Sequence, residues 1–239
     1  MLSVIVPTYN ERETLPTLVS RLARACDQAG LEVEILVVDD NSPDGTAAVA
    51  EALAAHYPVR VLRRSAKLGL ASAVVDALPV ACGDLIAVLD ADLSHPPEAL
   101  IAMVGQLLND PTVDLVVGSR YIPGGGMEDW PRTRQLVSLV ANLLARGLTP
   151  VRDATSGFFV VRRRALEGVC LNPIGFKIGL EVIARARYRR CIEVPYVFTD
   201  RKHGFSKFTP REVLAYLEQL AILYGERLCE RLGNRVNHR

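Results

Sequence analysis

Residues 85–92 read LIAVLDAD, a run of five apolar residues followed by two aspartates on either side of an alanine. A short apolar run without a polar face is typical of a strand that is covered on both sides, as in a parallel sheet. The aspartates follow the carboxyl end of this strand, the edge at which open α/β sheets bind their ligands. The stretch therefore predicts a central strand that presents Asp90 and Asp92 to a binding site.

Strands and helices of the same kind alternate along the first half of the chain. Apolar, largely β-branched runs predict strands at 2–6, 33–38, 59–62, 85–89 and 115–117. Helical spacing of apolar residues is found at 15–25, 46–56, 70–81 and 97–108. This order predicts an α/β, Rossmann-like fold with a mostly parallel central sheet and helices on both faces.

The second half of the chain is less regular. We expect a helix after Pro131, a strand at 158–161, a helix at 176–188, a strand at 192–198 and a long helix at 210–232. No repeat or linker divides the chain, so one domain over residues 1–208 and a C-terminal helix over 209–239 are expected.

Charge and cysteine content limit the possible functions. The net charge is +1, whereas nucleic-acid-binding domains are usually strongly basic, so no nucleic-acid partner is expected. The five cysteines are widely spaced and contain no Cys-x-x-Cys pair, which predicts neither a disulfide framework nor a zinc site. With no signal-peptide pattern and no apolar run of the ~18 residues that span a bilayer, we expect a soluble, cytoplasmic protein.

Asp90 and Asp92 are the first candidates for chemistry. Two carboxylates at positions i and i+2 past a buried strand can contact one divalent cation, and hard oxygen ligands suit Mg²⁺ or Mn²⁺. Such an ion would neutralise a leaving diphosphate as a Lewis acid. The alternative interpretation is an ordinary solvated turn at the end of a strand.

Asp39 and Asp40 follow the second predicted strand. A carboxylate at this place could accept hydrogen bonds from a base or a ribose, as the acidic residue of dinucleotide-binding folds does. Alternatively, the segment serves only to begin the next helix, because aspartate and serine are common helix caps.

Two further polar sets lie in the second half. Arg201 and Lys207 flank Gly204 in a loop that is suited to clamp a phosphate, although an exposed basic loop is the alternative. The helix after Pro131 carries three polar residues on one face, Arg134, Ser138 and Asn142. This polar stripe either lines a groove or forms the solvent face of an amphipathic helix.

Taken together, these residues resemble the inverting family-2 glycosyltransferases with a GT-A fold, in particular the polyprenyl-phosphate (dolichol-phosphate) mannosyltransferases. The motifs occur in the family order at 6–11, 38–46, 90–97, 118–121, 153–158 and 200–207, where the chain reads VPTYNE, VDDNSPDGT, DADLSHPP, GSRY, DATSGF and DRKHGFSK. The first three are general to the superfamily, and the others are more particular to polyprenyl-phosphate transferases. The resemblance implies a metal-dependent enzyme that transfers mannose from the sugar nucleotide GDP-mannose to a polyprenyl phosphate lipid with inversion.

The resemblance also implies roles for individual residues. Those that would surround the donor are Pro7, Tyr9, Glu11, Val38, Asp39, Asp40, Asp90, Ala91, Asp92, Arg201 and Lys207. Those that would bind the acceptor are Arg120, Arg134, Ser138, Asn142 and Ser156. Asp90, Asp92 and Arg120 would be catalytic, and the two aspartates would bind Mg²⁺ or Mn²⁺. Some relatives have glutamine two positions after the second aspartate, where this chain has Ser94, so water would replace a third side-chain ligand.

The chemistry of such an acceptor agrees with these residues. A phosphate monoester is already anionic near neutral pH, so it needs positioning and relief of charge repulsion more than a general base. Many transferases that act on sugar hydroxyls carry a Gln-x-x-Arg-Trp motif, which is absent from this sequence.

Other functions stay open at this point. The donor could be UDP-glucose or an aminoarabinose donor, and the protein could be a non-catalytic subunit that binds a nucleotide sugar. A haloacid-dehalogenase-like phosphatase is disfavoured because its Asp-x-Asp motif follows the first strand of its domain. A dinucleotide-dependent dehydrogenase is disfavoured because no Gly-x-Gly-x-x-Gly follows the first strand here.

A lipid acceptor requires contact with a membrane surface, either directly or through an anchoring partner subunit. The C-terminal helix is predicted to bring Val213, Leu217, Leu220 and Leu228 to one apolar stripe, and its arginines could meet anionic headgroups. Glutamates dilute that basic face, so the stripe could instead pack on the catalytic domain, and the helix after Pro131 is a second candidate. We therefore expect a peripheral protein at the cytosolic face of a membrane.

Overall fold

The computed structural model describes residues 1–172, 174–199 and 210–236, with side chains up to Cys229. Its strands are β1 (Leu2–Thr8), β2 (Val33–Asp39), β3 (Val59–Arg63), β4 (Leu85–Val88), β5 (Val113–Ser119), β6 (Gly126–Glu128), β7 (Phe159–Arg162), β8 (Arg190–Pro195) and β9 (Val197–Thr199). Its α helices are α1 (Leu15–Gln28), α2 (Thr46–Leu53), α3 (Leu70–Ala77), α4 (Pro97–Asn109), α5 (Arg132–Ala145), α6 (Ile178–Arg185) and α7 (Pro210–Val236). A 3₁₀ turn, Arg163–Leu166, follows β7.

The central sheet has seven strands in the order β3-β2-β1-β4-β7-β5-β8. β1 pairs in parallel with β2 and β4, β2 with β3, and β5 with β8. β7 runs antiparallel to both of its neighbours, β4 and β5. The predicted mostly parallel sheet is therefore confirmed, and the carboxyl ends of β1, β2, β4 and β5 lie along one edge.

Apolar layers cover both faces of the sheet, because alternate strand residues point to opposite sides. In β1, Val4 and Val6 pack with α1 and α4, whereas Ile5 packs with α3 and α6. Both faces of the central strands are buried, which explains why these strands read as continuous apolar runs. The predicted helices on the two faces are confirmed.

One predicted strand is wrong in its extent. Residues 192–198, expected as a single strand, belong to β8 and β9 with Tyr196 between them. β8 is an edge strand, where proline is tolerated, and the amide of Tyr196 directly after Pro195 still donates to the carbonyl oxygen of Ser119 in β5 at 3.1 Å. β9 then leaves the central sheet and pairs with β6 in a separate two-stranded sheet, which places Tyr196 and Phe198 in the core.

The C-terminal helix α7 packs on the domain through a face that shares only Leu220 with the predicted apolar stripe. Tyr216, Leu220 and Leu223 are buried in an apolar cluster with residues of α5 and α6. The hydroxyl of Tyr216 donates to the carbonyl oxygen of Ala141 at 2.6 Å, near the end of α5. This face combines apolar burial with hydrogen bonds that satisfy carbonyl groups of a helix end.

The stripe predicted on α7 is mostly exposed. Only Leu220 of the four residues is buried, whereas Val213, Leu217 and Leu228 are 37%, 46% and 59% exposed. The interpretation that this stripe packs on the catalytic domain is therefore wrong.

None of the helices in the described part of the chain has the length and apolar character needed to cross a bilayer. The division at residue 208 stays a prediction.

Candidate active site

Asp90 and Asp92 lie directly after β4, in a turn that its own side chains hold. Asp92 Oδ1 accepts hydrogen bonds from the amide and the hydroxyl of Ser94, at 3.0 and 2.5 Å. Leu93 has a φ of 65°, a left-handed conformation that is rare for leucine. Asp92 is buried and the Asp90 carboxylate is 27% exposed, so the turn opens to solvent at Asp90.

His95 supports this turn, a role that was not predicted from sequence. The backbone amide of Asp90 donates to His95 Nδ1 at 3.0 Å. Burial lowers the pKa of His95, so its imidazole is neutral at neutral pH and Nδ1 serves as an acceptor. The ring stacks on Phe158 with centroids 5.0 Å apart. His95 therefore fixes the backbone of Asp90.

The aspartate turn fits a divalent cation bound by two carboxylates. No group of three or more histidine, cysteine, aspartate or glutamate side chains suited to a metal occurs among the described residues. Mg²⁺ often takes only one or two carboxylates, with water and substrate phosphates as its other ligands. Asp92, oriented by Ser94, and the more open Asp90 would supply these carboxylate ligands, and their binding of a metal stays a prediction.

The loops after β1 and β2 are tied together beside the aspartate turn. The amide of Glu11 donates to Thr46 Oγ1 at 3.0 Å, across the two loops. The Lys67 ammonium lies 3.7 Å from the centroid of the Tyr9 ring. Four predicted donor residues lie on these two adjoining strands and loops: Pro7, Tyr9, Glu11 and Val38. Their contact with a nucleoside stays a prediction.

Asp39 and Asp40 are buried and bonded to protein groups. Asp40 accepts the amides of residues 68–69 at 2.9 and 2.7 Å and pairs with Arg64 Nη1 at 2.7 Å. Asp39 Oδ2 accepts the amide of Ser42 at 3.0 Å. The two aspartates thus shape the loops that precede α3 and α2. A direct contact with the donor stays a prediction for both.

Arg120 follows β5 and is held by Asp153. Its Nε and Nη2 donate to the two carboxylate oxygens of Asp153, each at 2.7 Å, and its backbone amide donates to the same carboxylate at 2.9 Å. Both side chains are buried. Burial alone would lower the pKa of Arg120, but Asp153 raises it above its ordinary value, so the guanidinium stays charged.

Arg134 joins Arg120 on the indole of Trp130. The guanidinium carbons of Arg134 and Arg120 lie 4.0 and 5.3 Å from the Trp130 ring centroid. The Phe198 ring lies 5.0 Å from the indole and 5.9 Å from the His95 ring. A cluster of Trp130, Phe198 and His95, here called the aromatic bridge, therefore connects the two predicted acceptor arginines with the aspartate turn.

The other predicted acceptor residues make bonds within the protein. The side-chain amide of Asn142 donates to the Ser138 carbonyl at 3.0 Å and accepts the amide of Thr155 at 3.1 Å. Ser156 Oγ accepts the amide of Phe158 at 3.2 Å. Asn142 and Ser156 thus shape the segment 153–158 that surrounds Arg120. Direct contact of Ser138, Asn142 or Ser156 with an acceptor stays a prediction.

Lys177 also lies at this site, although it was not predicted from the sequence. Lys177 precedes α6, and its Nζ donates to the carbonyl oxygen of Thr155 at 3.1 Å. Its sequence signal was weak, because one lysine in a helix-like segment is usually exposed to solvent. Arg201 and Lys207, the predicted diphosphate clamp, lie outside the described residues.

The sheet and its aspartate turn define a GT-A fold, the architecture of nucleotide-sugar-dependent transferases. A glucosyl-3-phosphoglycerate synthase from Mycobacterium tuberculosis, solved with Mn²⁺, UDP and glucosyl-3-phosphoglycerate, has a TM-score of 0.69 at 22% identity and covers 95% of this chain and 79% of its own. A mannosyltransferase from Pyrobaculum calidifontis, solved with GDP-Man and Mn²⁺, has a TM-score of 0.57 at 19% identity, over 95% of this chain and 75% of its own.

The chain belongs to glycosyltransferase family 2, because the family model "Glycosyl transferase family 2" matches residues 3–170. A dolichol-phosphate mannosyltransferase of Pyrococcus furiosus is 44% identical over 91% of this chain and 62% of its own, so the chain spans less than two thirds of that relative. The dolichol-phosphate mannosyltransferase of Saccharomyces cerevisiae is 39% identical over 93% and 86%. A polyprenol monophosphomannose synthase of Mycolicibacterium smegmatis is 40% identical over 86% and 80%.

Gly179 permits α6 to approach the segment 153–158 closely. A Cβ at this position would overlap the carbonyl oxygen of Ser156. We expect Gly179→Ala to lower the free energy of unfolding by ~1–3 kcal/mol, because backbone must move to relieve the overlap. Urea denaturation measures the change. Gly105→Ala in α4, where a Cβ meets nothing within 4 Å, is the control and is expected to raise the free energy of unfolding by up to about 1 kcal/mol, because alanine favours a helix more than glycine does. Equal stability of the two variants would contradict the prediction.

Proposed function

We propose that the protein transfers mannose from GDP-mannose to a polyprenyl monophosphate, with inversion at the anomeric carbon. The observation that carries this proposal is the aromatic bridge, because it joins the aspartate turn to Arg120 and Arg134. A reaction between two phosphate-bearing substrates requires carboxylates that bind a metal cation and, next to them, positively charged side chains that bind the second phosphate. The names of the curated relatives support the mannosyl donor and the polyprenyl acceptor.

The proposed reaction is a direct displacement. An oxygen of the acceptor phosphate forms a bond to the anomeric carbon of mannose, while the bond from that carbon to the diphosphate of GDP breaks and leaves its electron pair on GDP. Arg120 and Arg134 reduce the repulsion between the two phosphate groups as they approach. Asp90 and Asp92 would hold a Mg²⁺ or Mn²⁺ ion, which would supply Lewis-acid stabilisation of the leaving diphosphate.

A donor panel tests the function. With Mg²⁺ and a short polyprenyl phosphate, we expect kcat/KM for GDP-mannose to exceed that for UDP-glucose by roughly a hundredfold, because a hydrogen-bonded base subsite rejects the wrong base. Extraction of the lipid product gives the rates, and NMR of the product gives the anomeric configuration. Efficient transfer from UDP-glucose with none from GDP-mannose would refute the donor. Binding of GDP-mannose without any transfer would favour the non-catalytic subunit.

The proposed acceptor places the protein at the cytosolic face of a membrane, either directly or through an anchoring partner subunit. α5 exposes a row of apolar side chains: Leu136, Val137, Leu139, Val140, Leu143 and Leu144. α7 exposes Val213, Leu214, Leu217 and Leu228. We call these ten residues the apolar surface. Because α5 also carries Arg134, a bilayer at this surface would bring an acceptor phosphate to the site.

Vesicle flotation tests the apolar surface. We expect Leu139→Asp combined with Leu143→Asp to lower binding to anionic vesicles at least about tenfold, because two exposed apolar side chains that would enter the bilayer are replaced by charges that anionic headgroups repel. Leu108→Asp on α4 is the matched control, since Leu108 is 57% exposed outside the apolar surface. If the double variant floats as well as the control, the membrane contact lies elsewhere or belongs to a partner subunit.

A further inference from the structure

Lys177 places a buried ammonium group next to Arg120. Its Nζ donates to the carbonyl oxygen of Thr155, and the hydroxyl of the same threonine accepts a bond from Arg120 Nη2 at 3.2 Å. The ammonium also lies 4.5 Å from the centroid of the Phe176 ring. One residue of the segment 153–158 therefore holds both cations.

In the described part of the chain, the bonds that tie Lys177 to α6 and α7 come from its backbone and not from its side chain. Its backbone carbonyl accepts the amide of Leu180 at 3.1 Å and the side-chain amide of Gln219 at 3.3 Å, so it begins α6 and contacts α7. Those bonds use backbone atoms, which any residue would supply. These backbone bonds therefore do not explain why an ammonium group lies at this position.

No carboxylate among the described residues accepts a hydrogen bond from this ammonium. Among the described residues, the Thr155 carbonyl is the only hydrogen-bond acceptor of Lys177 Nζ, while Asp153 already makes paired bonds with Arg120. Burial, together with the charges of Arg120 and Arg134, lowers the pKa of Lys177 to about 8, while the charges of Asp153 and Asp90 oppose this shift. A buried charge in such a setting is costly unless an anion joins it.

We infer that Lys177 is a further phosphate-binding residue of the acceptor subsite, where its ammonium and the Arg120 guanidinium contact the same phosphate monoester. An ammonium has three donors, of which the Thr155 carbonyl takes one, so two remain for phosphate oxygens. The inference rests on the proposed function, because the phosphate in question is that of the lipid acceptor.

Steady-state kinetics of Lys177→Gln test this role. We expect the KM for a short polyprenyl phosphate to rise roughly 10–100-fold, the loss expected for a charge-assisted hydrogen bond, while the KM for GDP-mannose changes less than about twofold. Arg24→Gln, an exposed arginine of α1, controls for the loss of one charge and is expected to change neither value. A rise confined to the donor KM, or no rise, would overturn the inference.

Chemical modification of the unaltered protein gives a second readout that does not depend on a variant. The chain has four lysines, Lys67, Lys177, Lys202 and Lys207, so peptide mapping after acetylation resolves each one. We expect the short polyprenyl phosphate to protect Lys177 and to leave the exposed Lys67 reactive. Acetylation of Lys177 that the acceptor does not slow would overturn the inference. If the donor panel yields no product but the acceptor still protects Lys177, the proposed function fails while the phosphate site stands.

Discussion

Replacement of Asp92 by asparagine is expected to lower mannosyl transfer by roughly a thousandfold or more while the fold is retained. Asparagine has the same shape, and its side-chain oxygen can still accept the two bonds that Ser94 donates to Asp92 Oδ1. It lacks the negative charge with which a carboxylate binds a hard divalent cation. Initial rates with labelled GDP-mannose over a range of Mg²⁺ and Mn²⁺ concentrations measure the loss, and circular dichroism checks the fold.

Two controls separate metal binding from a general effect of charge. Asp84→Asn removes an aspartate just before β4, at the opposite end of this strand, where its side chain is 91% exposed, and is expected to leave transfer unchanged. Ser94→Ala removes one bond to Asp92 and is expected to weaken metal affinity by roughly 10–100-fold, a loss that added metal restores. Near-normal transfer by Asp92→Asn, or activity that a chelator does not reduce, would exclude the metal role.

The sequence predicted those residues of the candidate site that follow the parallel strands β1, β2 and β4. Each aspartate there comes directly after an apolar run, and the carboxyl ends of β1, β2 and β4 meet at one edge. The direction of β7 was not predictable, because an apolar run that is buried on both faces looks the same in either direction. β7 is nevertheless decisive, since its insertion between β4 and β5 brings the segment 153–158 between the aspartate turn and Arg120.

The contacts of the second half depend on partners that are distant in sequence. Asp153 lies 33 residues from Arg120, and nothing in the spacing identifies the two as a pair. In α7, apolar spacing alone favoured a stripe that includes Leu217, whereas the structure buries the face with Tyr216. Tyrosine hydroxyls contribute to this packing, because those of Tyr216 and Tyr224 donate to carbonyl oxygens near the end of α5, at 2.6 and 2.7 Å.

Asp153→Asn is expected to be the most destabilising single change at the site. Asp153 is fully buried, and both of its oxygens accept bonds from Arg120. An asparagine would turn an N–H toward the guanidinium and leave a buried charge without compensation, which typically costs about 3–5 kcal/mol. Urea denaturation at neutral pH measures the loss in the free energy of unfolding. Transfer is also expected to fall, because Arg120 would no longer be held beside Trp130.

Two further variants decide whether the pair serves stability or the reaction. Glu98→Gln breaks the partly exposed pair with Arg21 and is expected to cost only about 0–1 kcal/mol, as surface ion pairs do. Replacement of both Arg120 and Asp153 by leucine removes the buried charges together, so part of the stability should return, because a packed apolar pair often substitutes for a buried ion pair. The rest is lost because the backbone amide of residue 120 no longer has its acceptor. If Arg120 acts on the acceptor phosphate, this double variant still fails to transfer mannose. Recovery of transfer together with stability would assign the pair to the architecture alone.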